Sequence, residues 1–305
     1  MVLDAETQRC REQILLFISA SLRSTFTFRS GLKFKILHSE LSVMPKAKYK
    51  KHNMTYSITG EGPTVVFLHG FGEDRRMWKE YIQAFTSYQI ITIDLPGFGQ
   101  SEVLSNATIP VMAEVVKTVL DQEAIKQCIL IGHSMGGYVT LNFAHHFPNR
   151  LLGFGLFHSH PYADTADRKV NRIKSIDFVK EHGVPFYLKQ LMPLLFAKGY
   201  IKSNPHVLDK MVYYGSQTNK EGIINGLTAM RDRPDQTAVL AQAKVPVLFL
   251  IGKKDLAVPI ENSLNQTHLP NLSDIHIYEE VGHMGMFENK QATIDAIKGF
   301  VDLCI

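Results

Sequence analysis

Residues 127–137 read Gln127-Cys128-Ile129-Leu130-Ile131-Gly132-His133-Ser134-Met135-Gly136-Gly137. An apolar run with the signature of a buried strand passes directly into a Gly-x-Ser-x-Gly turn. A serine on a tight strand-to-helix turn is lifted clear of the sheet, and small flanking residues let the chain turn without steric clash. Such a turn also leaves backbone N–H groups at a helix N-terminus unpaired and able to stabilise an oxyanion. The pentapeptide alone does not decide between a plain turn and a catalytic one, so its surroundings carry the reading. Tyr138-Val139-Thr140-Leu141-Asn142-Phe143-Ala144 has apolar residues at helical spacing, and Phe147-Pro148 supplies a stop.

The same alternation extends outward. Thr64-Val65-Val66-Phe67-Leu68-His69 is a central strand, and Gln89-Ile90-Ile91-Thr92-Ile93-Asp94 is a second, ending in the loop Leu95-Pro96-Gly97-Phe98-Gly99. Helical patterns follow at about 108–122 and 135–147. Leu151–His158, Val245–Gly252 and Ile275–Tyr278 are further strands. Short apolar runs alternating with helices predict an α/β fold with a mostly parallel sheet. Residues 161–243 break the rhythm: they are rich in helical pattern, poor in strand signal and far longer than an ordinary βα connection. They predict a helical cap whose apolar stretches, such as Leu191-Met192-Pro193-Leu194-Leu195-Phe196, pack on the sheet edge and roof a pocket. The core is then 44–160 with 244–305.

Composition bounds the function. A chain of 305 residues, 45% hydrophobic and 20% charged, can bury a large core. The net charge of +4 is modest, and the one dense basic run, Lys46-Ala47-Lys48-Tyr49-Lys50-Lys51, reads as a solvated surface strand and not a nucleic-acid site. Cys10, Cys128 and Cys304 are far apart and odd in number, which fits neither a disulfide framework nor a metal site and suits a reducing, cytoplasmic setting. Cys128 reads as a small core residue. In the N-terminal extension, residues 1–43, Ile14-Leu15-Leu16-Phe17-Ile18 is too short for a membrane span. Asp4, Glu6 and Glu12 spoil a signal-peptide n-region. An added helix, a tether or a misassigned start all remain open for it. No dinucleotide glycine motif or metal-ligand spacing is found, so no cofactor and no metal are expected. Oligomeric state is not readable.

From about Lys48 onward the chain resembles the α/β-hydrolases, in the serine-nucleophile, esterase- or lactonase-like branch with a cap. Four motifs in family order carry the resemblance: His69-Gly70-Phe71-Gly72, Asp94-Leu95-Pro96-Gly97-Phe98-Gly99-Gln100-Ser101, the Ser134 turn, and Gly282-His283. A serine hydroxyl needs a base within hydrogen-bond reach and a carboxylate to orient that base. The family order of serine, acid, histidine implies Ser134 as nucleophile, Asp255 in Ile251-Gly252-Lys253-Lys254-Asp255 as acid, and His283 as base. The resemblance also implies that the backbone N–H groups of Phe71 and Met135 form the oxyanion hole, each worth about 3 kcal/mol. Among 13 histidines and 29 acidic residues, His133 is expected to pack beneath the turn, His69, His158 and His160 to line a substrate pocket, Asp94 to hold a structural turn, and Asp164 to be the weaker alternative acid.

Haloalkane dehalogenases and epoxide hydrolases carry Asp where Ser134 stands. Proline iminopeptidases usually carry Gly-Gly-Ser-Trp-Gly, and carbon–carbon bond hydrolases often have Asn at the position of His133. The resemblance therefore implies a carboxylesterase or lactonase acting on a small to medium acyl substrate under the cap. Carbon–carbon bond hydrolase, cofactor-free perhydrolase or haloperoxidase, and ligand receptor are its alternatives.

Overall fold

A computed structural model describes residues 44–305, so the expectations for residues 1–43 and for Cys10 lie outside the described residues. Eight strands form one sheet in the order β1-β2-β4-β3-β5-β6-β7-β8. β1 (Lys46–Tyr49) and β2 (His52–Thr59) make an antiparallel edge. β3 (Thr64–Leu68), β4 (Gln89–Ile93), β5 (Cys128–His133), β6 (Leu151–Phe157), β7 (Val247–Gly252) and β8 (Ser273–Tyr278) run parallel to one another. The basic run is thus an edge strand with Lys46 and Lys48 outward and Ala47 and Tyr49 buried.

The central strands β3, β5 and β7 are buried along their whole length, as uninterrupted Val, Ile and Leu runs require when helices cover both faces. Helix Ile109–Gln122 begins at an N-cap where the Thr108 side chain accepts from the Val111 N–H. It packs against helix Met135–His146, and the C-terminal helix Lys290–Cys304 packs on β6 and β7. β7 begins two residues later than expected, because Pro246 has no N–H to give the ladder.

Between β6 and β7 the chain folds as helices Ala166–His182, Val184–Leu191, Lys198–Ser203, Pro205–Gly215 and Lys220–Asp232. The short helix Thr237–Ala241 then packs back on helix Met135–His146. The loops that follow β3, β5, β7 and β8 leave the sheet at the carboxyl ends of their strands, the edge where open parallel sheets place ligands. Among the described residues no helix is long and apolar enough to cross a membrane.

Candidate active site

From Cys128 to Ala144 every residue but one is buried; the exception is Ser134. It takes φ 49°, ψ −113°, between the end of β5 and the first turn of helix Met135–His146. The turn is locked on both sides: the Ser134 N–H donates to the Phe157 carbonyl (2.9 Å), and the Ser159 hydroxyl donates to the Ser134 carbonyl (2.8 Å). The glycines are needed for clearance. A Cβ on Gly132 would lie 2.3 Å from the Gly136 carbonyl oxygen, and one on Gly136 would lie 2.8 Å from the His69 carbonyl oxygen.

His283 Nδ1 donates to Asp255 Oδ2 at 2.7 Å. Asp255 Oδ1 accepts from the Ala257 and Val258 N–H groups at 2.8 and 2.9 Å, so the carboxylate is held from both of its oxygens. Burial alone would raise the Asp255 carboxyl, but the His283 ring and then His158 outweigh it and hold the group below the usual carboxylate range. Ser134 and His283 line one cleft of about 90 Å³ with Phe71. The Ser134 hydroxyl makes no hydrogen bond among the described residues; contacts of this kind commonly tighten only once substrate is bound. The Phe71 and Met135 N–H groups likewise have no acceptor among the described residues.

The insertion closes this cleft: Arg168, Arg172, Leu191, Leu195 and Met230 all line it. Its contact with the core is close, as shown by the Leu195 carbonyl, which accepts from the His283 N–H at 2.7 Å.

His133 lies buried under the turn. Its Nε2 faces the His283 carbonyl at 2.9 Å and its Nδ1 faces Glu73 Oε2 at 3.1 Å. Both partners are acceptors, so both ring nitrogens carry protons and the ring is a cation. Burial opposes that charge, but the Glu73 carboxylate more than offsets it and raises the His133 pKa. The same exchange, against burial, lowers that of Glu73. Glu73 Oε2 also accepts from the Gly70 N–H at 2.7 Å, so one buried carboxylate ties the loop after β3 to the turn strand and, through His133, to the His283 loop. Sequence reasoning missed Glu73. Its only signal was an acid immediately after the His69-Gly70-Phe71-Gly72 loop.

The three histidines expected to line the pocket are elsewhere. His69 is buried, with Nδ1 on the Gly70 carbonyl (2.8 Å) and Nε2 accepting from the Leu95 N–H (2.9 Å), so it ties two loops together. His158 turns back at φ 49°. Its Nε2 accepts from the Gly285 N–H (3.2 Å), which leaves the Nδ1 proton directed at Asp255 Oδ2, 3.7 Å away. His160 sits behind Tyr138, where its Nδ1 accepts from the Tyr162 N–H at 3.2 Å. Position after a strand end was their shared signal, and it does not report which way a ring turns.

Asp94 accepts from the Arg75 side chain (2.6 Å), the Arg75 N–H (2.8 Å) and the Gln100 N–H (2.9 Å), as a turn residue should. Asp164 is occupied by Arg233 (2.7 Å) and Arg172 (3.1 Å). Cys128 is buried, and burial pushes its thiol up to about 12, which keeps it inert. No cluster of three metal-ligating side chains occurs among the described residues.

Residues 63–290 match a family model described as alpha/beta hydrolase fold. The chain is 29% identical over 241 residues to the dihydrolipoyllysine-residue acetyltransferase component of an acetoin cleaving system from Cupriavidus necator, covering 75% of this chain and 61% of that one. It is 26% identical to a 2-hydroxy-6-oxo-6-phenylhexa-2,4-dienoate hydrolase of Comamonas testosteroni, covering 76% and 85%. Among solved structures it is similar to a thermophilic esterase from Thermogutta terrifontis, with TM-score 0.81 and 27% identity, covering 86% of this chain and 98% of that one.

Proposed function

Because the chain belongs to the alpha/beta-hydrolase fold family, we propose that it is a serine hydrolase that cleaves an ester or lactone through an acyl-enzyme on Ser134. The observation that carries this reading is the partly accessible Ser134 on its strained turn, sharing a cleft with a His283 ring already oriented by Asp255 at 2.7 Å. His283 takes the Ser134 proton as the hydroxyl oxygen attacks the acyl carbonyl. The Phe71 and Met135 N–H groups hold the oxyanion, as groups with no other acceptor can. When the tetrahedral adduct collapses, the carbon–oxygen bond to the alcohol breaks and His283 returns the proton to the leaving oxygen. Water, deprotonated by His283, then attacks the acyl carbon and releases the acid and free Ser134. The similarity to the Thermogutta esterase supports ester chemistry. The cleft of about 90 Å³ favours a short acyl group.

The likeness to the Comamonas hydrolase favours a second reading, cleavage of a carbon–carbon bond beside a ketone by the same residues. Wild type, Ser134→Ala and Asp255→Asn assayed on p-nitrophenyl esters, lactones and a diketone separate the two. The proposal expects ester or lactone turnover that falls by about 10⁴-fold or more in Ser134→Ala. Turnover of the diketone alone supports the second reading, and an alanine variant as fast as wild type on esters removes the nucleophile.

A further inference from the structure

We propose that Arg168 and Arg172 make the acyl side of the cleft a carboxylate subsite, so that the preferred substrates are esters or lactones whose short acyl chain ends in a carboxylate. This rests on the reading of Ser134 as the nucleophile of an acyl transfer.

Arg168 and Arg172 are four residues apart on helix Ala166–His182 and therefore on one face of it. That face is turned inward: both line the cleft that holds Ser134 and His283. A pair of cations at this spacing repels, weakly when exposed and more strongly where water is excluded. The protein supplies little counter-charge. Arg172 Nε donates to Asp164 Oδ2 at 3.1 Å, and that carboxylate is shared with Arg233 at 2.7 Å. Arg168 has no carboxylate partner among the described residues; its Nη2 donates to the Ala257 carbonyl at 2.7 Å. Three guanidiniums thus have one carboxylate partner among them, and Arg168 takes no share of it.

Glu73 in the cleft and Asp255 beside it do not redress the balance. Glu73 is matched by the His133 cation and Asp255 is committed to His283. His160, behind the same cluster, is held neutral by burial and by the charges of Arg233 and Arg168, with its pKa pushed down to about 3. Ala257 belongs to the acid loop, since its own N–H donates to Asp255 Oδ1 at 2.8 Å. Arg168 is therefore tethered beside the catalytic acid with its remaining N–H groups free among the described residues. A guanidinium fork that is partly desolvated, prepositioned and short of counter-charge suits the planar oxygen pair of a carboxylate.

The test compares mono-p-nitrophenyl glutarate with p-nitrophenyl valerate, which has a methyl group where glutarate has its carboxylate, in wild type, Arg168→Met and Arg168→Lys. Wild type is expected to prefer the glutarate ester by about tenfold or more in kcat/KM, chiefly through KM and less so at high salt. Arg168→Met should bring the ratio close to one, and Arg168→Lys should keep part of it. A wild-type ratio at or below one, or a ratio unchanged in Arg168→Met while Arg168→Lys melts normally, overturns the proposal. If neither ester is turned over, the ester-hydrolase reading fails, and calorimetric titration with free glutarate judges the subsite by itself. Saturable binding to wild type that is lost in Arg168→Met supports the subsite, and no binding to wild type overturns it.

Discussion

Ser134 holds φ at 49°, in the left-handed region that costs a residue with a side chain about 1–3 kcal/mol. The surrounding hydrogen bonds from Ser159 and to Phe157 keep it there. This position was legible in sequence, because an apolar run, a Gly-x-Ser-x-Gly turn and a helical pattern leave few other arrangements. Glu73 was not legible, because an acid after a glycine loop looks like any solvated loop residue until its burial is known. Its replacement tests the buried pair. Glu73→Gln leaves the His133 cation without its counter-charge, and the expected cost is about 3–5 kcal/mol in urea denaturation. An unmoved midpoint would mean that the pair carries no charge. His69, His158 and His160 teach the converse: a strand end predicts that a residue is near the site, whereas the direction of its ring follows from partners such as Gly285 and Leu95 that are distant in sequence.

At the scale of elements, the parallel strands were read to within two residues, since such strands are short apolar runs, whereas the antiparallel strand β2 was not read. The insertion was recognised as helical, but the face each helix turns inward was not. Arg168 and Arg172 at four-residue spacing look like a solvated stripe, yet they line the cleft. The docking of the insertion on the core depends on backbone contact as well as side chains. A Cβ on Gly222, in helix Lys220–Asp232, would lie 2.0 Å from the Gly97 carbonyl oxygen. Gly222→Ala must therefore push the helix off the Pro96-Gly97 loop. A loss of about 1–3 kcal/mol is expected, read as a lower thermal midpoint together with weakened turnover. A variant with both unchanged would show that the insertion docks elsewhere.

Over the whole molecule, two buried histidines, His158 and His160, are held without charge. Burial pushes both from 6.5 down to about 3; at His160 the charges of Arg233 and Arg168 add to it, and at His158 the Asp255 carboxylate opposes it without offsetting it. The unfolded chain binds protons at these sites between those values and the folded protein does not, so stability rises with pH there and is lost as pH falls from 6.5 toward 3. The depressed carboxyls of Asp255 and Asp164 act in the same sense at the acid end of that window. The thermal midpoint should thus drop steadily below pH 6.5, and His160→Gln should flatten the slope; a parallel curve for the variant would remove His160 from the account. On the proposed reading, the sheet edge gathers four loops around one reactive hydroxyl, that of Ser134. The most direct measurement of this is mass spectrometry after treatment with a p-nitrophenyl phosphonate. Ser134 is the only serine of the tryptic peptide 127–150. One phosphonyl group is expected on that peptide, absent in Ser134→Ala and much slower to form in Asp255→Asn. A label on any other residue, or one that persists in Ser134→Ala, would contradict it.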